Sequence, residues 1–525
     1  MYTRFEERLQ RLHADGCAAL LRSGLKGIEK ESLRVTPENR LSQRPHPRAL
    51  GSSLTHPHIT TDYSEAQLEF VTPPLAQAQD AIDFLHDIHE FVYANLEDEL
   101  LWSTSMPCIV SGESSVPIAR FGPSNVGRFK EVYRRGLEAR YRRIMQIISG
   151  VHFNYSVPEA FWPVFQAHEG DDRPLSAFVA DAYFAMARNI QRYDWLITYL
   201  FGCSPALCKS FMNGLPNAFA EFDRYTFYEE YATSLRLSNI GYKSQLPDVL
   251  RISFDDLDAY VRTLLRATRT PHPPYVKLGV IVDGDYRQLN ANILQIENEF
   301  YGSVRPKQPP RAGERPLAAL ADRGVAYLEL RSLDVNAFQP HGVTEQQIHF
   351  LEAFMLFALL QESPLLDKGL VDELTHNQLL VAHGGRRPGL KLRRHGQETI
   401  MHDWANDILD RMALICEVLD ADDPDRPYAR ALEAQRVAVR DPEQTPSAQV
   451  LREMGEHDET FFQFARRQSE RHKAYFDARP ASPERMAFFE ELGAESWRKR
   501  ADIEAKDAKD GVSFETYLEN YFAQP

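Results

Sequence analysis

Residues 151–157 read VHFNYSV, and the fold turns on that run. Val151, Phe153, Tyr155 and Val157 fall on one side of a two-residue period, His152, Asn154 and Ser156 on the other, as in a strand with one apolar and one polar face. Polar groups on a half-covered face need partners. Three other stretches place acids where such a strand could meet them: GIEKESLRV at 27–35, ITTDYSEAQLEF at 59–70 and AYLELRSLD at 326–334. In all but the first of these the charged groups alternate with apolar ones. Together Glu29, Glu31, Asp62, Glu69, His152 and Glu329 read as a cage for hard divalent cations, because crowded carboxylates repel and lose hydration unless a cation sits among them. Magnesium or manganese suits such a donor set.

Each stretch also has a plain structural reading. Glu29 and Glu31 share a face about 7 Å apart at a strand rise near 3.3 Å per residue, a spacing that suits neighbouring ions but also an ordinary exposed edge. A lone histidine is commonly a satisfied core residue. Tyr327, Glu329, Arg331 and Leu333 share one face of a regular strand, where Glu329 and Arg331 form a salt bridge or, beside magnesium, a ligand and a phosphoryl-binding guanidinium. The segment LQIENEFYGSVRPK puts Glu297, Glu299 and Tyr301 on one face and then offers Arg305 and Lys307 as phosphate contacts.

The remaining pattern predicts an α+β fold. Strands are expected at 27–35, 66–72, 151–157, 289–300 and 325–333, separated by helices such as Ala78–Leu101 and Phe129–Ser149, with no βαβ rhythm. From residue 344 onward the pattern is almost wholly helical, with an apolar helix in EQQIHFLEAFMLFALLQ and amphipathic ones at DWANDILDRMALICEVLD and from Thr460 to Phe476. We therefore expect a catalytic region at 1–343 and a helical region at 344–525 packed on it as one unit. Between the tail helices, GGRRPGLKLRRHG at 384–396 reads as a mobile basic loop or, less simply, a lid for an anion.

A chain of 525 residues with 43% hydrophobic content can bury a large core. Sixty basic against 75 acidic residues give a net charge of −15, which disfavours nucleic acid and anionic membranes. Five scattered cysteines without CxxC spacing indicate neither a zinc site nor a disulfide framework, and fit a reducing cytoplasm. The start lacks a secretory core, and the longest apolar run, Ala353–Leu360, is far short of the roughly 20 residues that span a bilayer. Phosphate-loop, dinucleotide, HExxH and GxSxG motifs are absent.

Taken in order, GIEKESLRV, LTHPHITTDYSEAQLEFVTP, SNVGRFKEVYRRGLEARY, ISGVHFNYSVP, YATSLRLSNIGY, LQIENEFY, RPK and YLELRSLDVN resemble the proteobacterial-type glutamate–cysteine ligase family. The resemblance runs from about residue 20 to at least residue 360. It implies a mainly antiparallel curved sheet resembling the catalytic half of glutamine synthetase, ringed by helices. It further implies ligation of the glutamate γ-carboxylate to the amine of cysteine through γ-glutamyl phosphate, the first step of glutathione biosynthesis, with ATP as co-substrate and two or three magnesium or manganese ions. A related ligase with another acceptor amine is the alternative.

Carried over position by position, the resemblance makes Glu29, Glu31, Asp62, Glu69, His152 and Glu329 metal ligands, with Arg331 at the transferring phosphate. Arg236 and Gln146 would serve glutamate; Tyr63, Tyr133, Leu137, Tyr242 and Tyr301 would line the cysteine pocket. Tyr63 stands where the family usually has phenylalanine. The cysteine that pairs with the Cys108 position in some relatives has no counterpart in FWPVFQAHEGDD, so that disulfide is not expected, and Cys203 and Cys208 read as buried apolar residues. Expected partners are glutamate, cysteine and ATP, with no nucleic acid or membrane, a monomeric state and feedback by glutathione.

Overall fold

The VHFNYSV run lies at the middle of a sheet in a computed structural model that describes residues 3–108, 110–212, 217–240 and 250–524. The strands of this sheet are β1 (Leu25–Val35), β2 (Ile59–Thr61), β3 (Gln67–Val71), β4 (Leu100–Leu101), β5 (Gly150–Ser156), β6 (Val304–Lys307) and β7 (Tyr327–Asp334). Their order is β6-β7-β5-β1-β3-β2, with β4 pairing the end of β1, and every pairing is antiparallel.

Register fixes the two faces. Ile28 lies opposite Phe153, Lys30 opposite Phe70 and Leu330 opposite Phe153, so one face collects Ile28, Leu68, Phe70, Val151, Phe153, Tyr155, Leu328 and Leu330, all fully buried. Helices α1 (Ala78–Asn95), α2 (Asn125–Tyr141), α3 (Leu175–Phe201) and α4 (Glu345–Leu360) follow in the chain. Of these α1, α3 and α4 pack on the sheet. Thr344 and Gln347 form a reciprocal capping box at the start of α4, which satisfies the first free amides of an otherwise buried helix.

Two lysines project into this apolar side, and each finds a partner. Lys26 bonds Glu352 of α4 at 2.7 Å with both side chains buried, and Tyr428 donates to the same carboxylate at 2.6 Å. Lys30 donates to His89 Nε2 at 2.8 Å, while His89 Nδ1 is 2.7 Å from the Leu85 carbonyl.

Several sequence expectations need correction. Residues 289–300 do not form a strand; they are irregular and end in a single 3-10 turn at Glu297–Glu299. Their acids answer distant arginines instead: Glu297 pairs with Arg315 at 2.8 Å and Glu299 with Arg140 at 2.9 Å, all buried. The first expected helix stops at Asn95, leaving Leu100–Leu101 for β4. The second starts earlier, at Asn125 with Ser124 as its cap, and ends at Tyr141, where Arg142 takes a positive φ of 73°. In β7 a bulge between Leu330 and Leu333 shifts the pairing. Leu333 thereby lies opposite Val151 in the core rather than beside Glu329 and Arg331.

The basic stretch at 384–396 is anchored rather than a mobile loop. It enters a hairpin, Lys391–Arg394 against Gln397–Ile400, turning at His395 and Gly396, both of positive φ. Glu373 accepts the backbone N–H groups of both at 3.0 and 2.7 Å, and Arg386 is buried against Ala232 and Glu230 carbonyls. The C-terminal helices run back over the body, and Tyr521 packs on Phe129 of α2 with ring centroids 4.6 Å apart. Among the described residues no helix is long and apolar enough to cross a membrane.

Candidate active site

The other face of the sheet is polar because β1, β3, β5 and β7 each bring alternate charged groups to it. Glu29 lies opposite His152, Glu31 opposite Glu69 and Glu329 opposite Asn154. The ligand atoms of Glu29, His152 and Glu329 all lie within 4.8 Å of one another. His152 Nδ1 stands 3.2 Å from Glu29 and 3.5 Å from Glu329, and Asn154 donates to Glu29 at 2.9 Å. Two residues after Glu329, Arg331 shares this face, 3.3 Å from the carboxylate, while Ser332 turns inward to bond Asp194. Lys307 of β6 reaches Glu329 at 3.4 Å.

Electrostatics divides the acids into two groups. Burial alone would raise Glu329, but Lys307, Arg331, His152 and Arg305 outweigh it and hold the carboxyl well below its usual range. Burial likewise opposes Glu29, and the His152 hydrogen bond with the Lys307 charge brings it down. His152 itself is held below its ordinary value by burial and by Arg331, against Glu29, which favours the neutral imidazole that metal ligation uses.

The second group lacks that compensation. Burial and then Asp62 push Glu31 up to about 8, against Arg236 and the Gly150 amide, which donates to Glu31 at 2.7 Å. Burial, Asp62, Glu29, Glu31 and Glu329 all raise Glu69 well above its usual value. Acids whose neighbours are acids lower their energy by sharing a proton or a cation. Oxygen donors from Glu31, Asp62 and Glu69 beside the Glu29, His152 and Glu329 set fit hard divalent ions.

Of the other expected site residues, Arg236 and Tyr301 lie against Arg331. Arg236 is buried and donates to the Arg331 carbonyl at 3.0 Å, with Asp334 3.7 Å away. Gly150 makes room for it, since a Cβ there would stand 2.1 Å from the Arg236 guanidinium. The Tyr301 ring lies 5.6 Å from the Arg331 guanidinium. Gln146 is buried in the short turn after α2. Tyr63 is buried in a second apolar core whose edge includes Leu137, whereas Tyr133 borders a third with Phe129. Arg305 lies opposite Glu329 but donates to the carbonyls of Asn298 and Phe300. Tyr242 lies outside the described residues.

Reasoning from sequence missed two cations. Arg134 of α2 donates to the Asp62 carbonyl at 2.6 Å, and Lys130, one turn earlier, is lowered to about 8 by burial and by Arg134, against Glu69. Their four-residue spacing placed both on one face of a helix, a signal available in RFKEVYRR.

Comparison with known proteins adds the family. The family model described as glutamate-cysteine ligase matches residues 9–381. A glutamate–cysteine ligase of Pseudomonas entomophila is 48% identical over 94% of this chain and 93% of its own length. One from Alcanivorax borkumensis is 46% identical over 98% and 99%. Among solved structures, the Francisella tularensis glutamate–cysteine ligase in complex with AMP superposes with a TM-score of 0.89 at 34% identity, covering 95% of this chain and 98% of that one. A bifunctional glutathione synthetase from Pasteurella multocida shares the fold, with a TM-score of 0.73 at 24% identity over 92% of this chain and 58% of its own. The order of motifs, the open antiparallel sheet and these likenesses agree: the chain belongs to the glutamate–cysteine ligase family.

Proposed function

We propose that the polar face of the sheet is the catalytic centre of an ATP-dependent ligase. The enzyme joins the γ-carboxylate of L-glutamate to the amine of L-cysteine, forming γ-glutamylcysteine, ADP and phosphate at the first step of glutathione biosynthesis. The convergence of Glu29, His152 and Glu329 within 4.8 Å, flanked by Glu31 and Glu69, carries the assignment of the site.

On this reading Glu29, His152 and Glu329 would hold one divalent ion, and Glu31, Asp62 and Glu69 would complete a site for two or three. Magnesium or manganese held there would supply charge neutralisation to the polyphosphate. A carboxylate is a poor electrophile, so phosphoryl transfer from ATP first makes γ-glutamyl phosphate, and the cysteine amine then attacks its carbonyl. Arg331 offers guanidinium donors to the transferring phosphoryl group, and Lys307 adds charge beside Glu329. Arg305 contributes through its field, its donors being engaged by carbonyls.

Arg236 holds the glutamate, with Gln146 nearby. Tyr63, Tyr133, Leu137, Tyr242 and Tyr301 shape the place of the cysteine side chain. We assign the chemistry to residues 1–343 and a bracing role to 344–525; the burial of α4 beneath the sheet supports this. A cytoplasmic setting accords with five free cysteines.

The test is phosphate release from ATP by the pure protein with magnesium, omitting glutamate and cysteine in turn. Full release needs both amino acids; release that ignores them contradicts the proposal.

A further inference from the structure

The basic stretch at 384–396 has no part in the ligation, yet its hairpin closes one wall of a cavity. Arg394 of that hairpin lines it together with Arg192 of α3, Gln361 at the end of α4, Leu370 and Leu374 of the helix Lys368–Gly384, and Trp404 of the helix Met401–Leu419. The space between them is about 540 Å³, within the roughly 300–1,000 Å³ usual for small-molecule sites. It lies away from the polar face of the sheet. α3 packs on the inward side, where Asp194, two residues after Arg192, bonds Ser332.

Three donors on this lining are unanswered. Arg192 Nε, Gln361 Nε2 and Trp404 Nε1 find no hydrogen-bond partner among the described residues, although the three residues are only 7%, 2% and 5% exposed. A buried donor without an acceptor is costly. Arg192 is also a cation without an acid: its other nitrogens donate to Asn189 Oδ1 at 2.9 Å, to Ser363 Oγ at 3.3 Å and to the Pro364 carbonyl. Burial pulls its guanidinium down to about 10, with Tyr193 opposing and the Arg188 charge adding to the fall. Arg394, by contrast, is paired with Asp407 at 3.0 Å and stands 5.2 Å from the centre of the Trp404 ring.

We propose that this cavity binds a small monocarboxylate with an apolar body. The carboxylate accepts from the buried donors of Arg192, Gln361 and Trp404 and neutralises the guanidinium, while Leu370, Leu374 and the Trp404 ring cover the body. Neighbouring acids limit the charge. Glu373 and the exposed Glu362 also line the cavity, and Glu373 is already held by the His395 and Gly396 N–H groups. A second negative charge on the ligand would face these carboxylates, which makes a phosphate dianion a poor occupant. Ordered water is the plain alternative; it satisfies the donors but leaves the buried cation without a counter-charge.

The experiment titrates the full chain with 4-fluorophenylacetate in the presence of excess glutamate and follows the fluorine resonance of the probe. Saturable broadening is expected, with a Kd of about 1 mM or tighter. The neutral 4-fluorophenylacetamide should give no saturable response, and inorganic phosphate should not displace the acid. L374W and, independently, L370W narrow the cavity and are expected to abolish binding, whereas R192Q weakens it about tenfold or more. Circular dichroism checks the folding of each variant. Should R192Q not fold, the two tryptophan variants decide the matter, since Leu370 and Leu374 are only partly buried. No saturable response from the wild type means water alone in the cavity and overturns the proposal. Equal binding of the amide, displacement by phosphate, or binding unchanged in both tryptophan variants overturns it too. None of these readouts depends on ligase activity.

Discussion

Glu29 and His152 face each other across neighbouring antiparallel strands, with Nδ1 of the imidazole 3.2 Å from the carboxylate. That pairing ties the centre of the sheet to its chemistry: the register that puts Ile28 and Phe153 into the core also brings acid and imidazole together on the opposite face. A slip of one residue would exchange the two faces.

The metal-free site should respond to pH through Glu31, whose carboxyl is pushed to about 8 by burial and by Asp62. Between the usual carboxyl value and about 8 the folded state keeps a proton that the unfolded state has lost. Stability from this group therefore falls as pH rises through that window and levels off above it. Metal ligation needs the deprotonated acid. The gain in melting temperature from magnesium over EDTA is expected to widen from pH 6 to pH 8, and a constant gap would contradict the cage.

Glu69 has only acids among its strongest electrostatic neighbours. Glu69→Gln is expected to raise the melting temperature of the metal-free protein and to abolish most of the magnesium-dependent rise, because it removes repulsion and a ligand together. Paired thermal scans with and without magnesium check both.

Gly150 leaves space that the Arg236 guanidinium occupies. Gly150→Ala forces that group to move by an ångström or so and, with Arg236 holding glutamate as proposed, should raise KM for glutamate about tenfold or more, a loss of about 1.4 kcal/mol. KM for ATP should change far less in the same steady-state assays.

The Tyr63 hydroxyl is buried and finds no hydrogen-bond partner among the described residues. An unpaired buried hydroxyl costs about 1 to 3 kcal/mol, so Tyr63→Phe is expected to stabilise the fold by about 1 kcal/mol in urea denaturation. Discrimination between cysteine and 2-aminobutyrate should stay modest in both forms, as a difference this small in an apolar pocket is worth about 1 to 3 kcal/mol.

The sequence made the central strand and its two faces legible because VHFNYSV alternates without a fault. Glu69 was legible for the same reason, through period two on β3, whereas Glu29 and Glu31 lie in a β1 run that does not alternate with apolar residues and read equally as an exposed edge. Where it misled, the cause was a partner far along the chain. Glu297 and Glu299 mimic an alternating strand, yet they answer Arg315 and Arg140, which no local pattern reveals. The β7 bulge, too, is set by pairing with β5 and left no mark in YLELRSLD, so Leu333 was placed on the wrong face. Arginine is no helix breaker, and the positive φ at Arg142 that ends α2 was invisible. The glycines of the basic stretch suggested only a mobile loop, because the partner that anchors its turn, Glu373, lies in the preceding helix.

The most direct test of the account follows the oxygen. Glutamate labelled with oxygen-18 in its γ-carboxylate is supplied with ATP, cysteine and magnesium, and the phosphate released is examined by mass spectrometry. Activation of glutamate as an acyl phosphate predicts one labelled oxygen in each phosphate formed; phosphate free of label would contradict it.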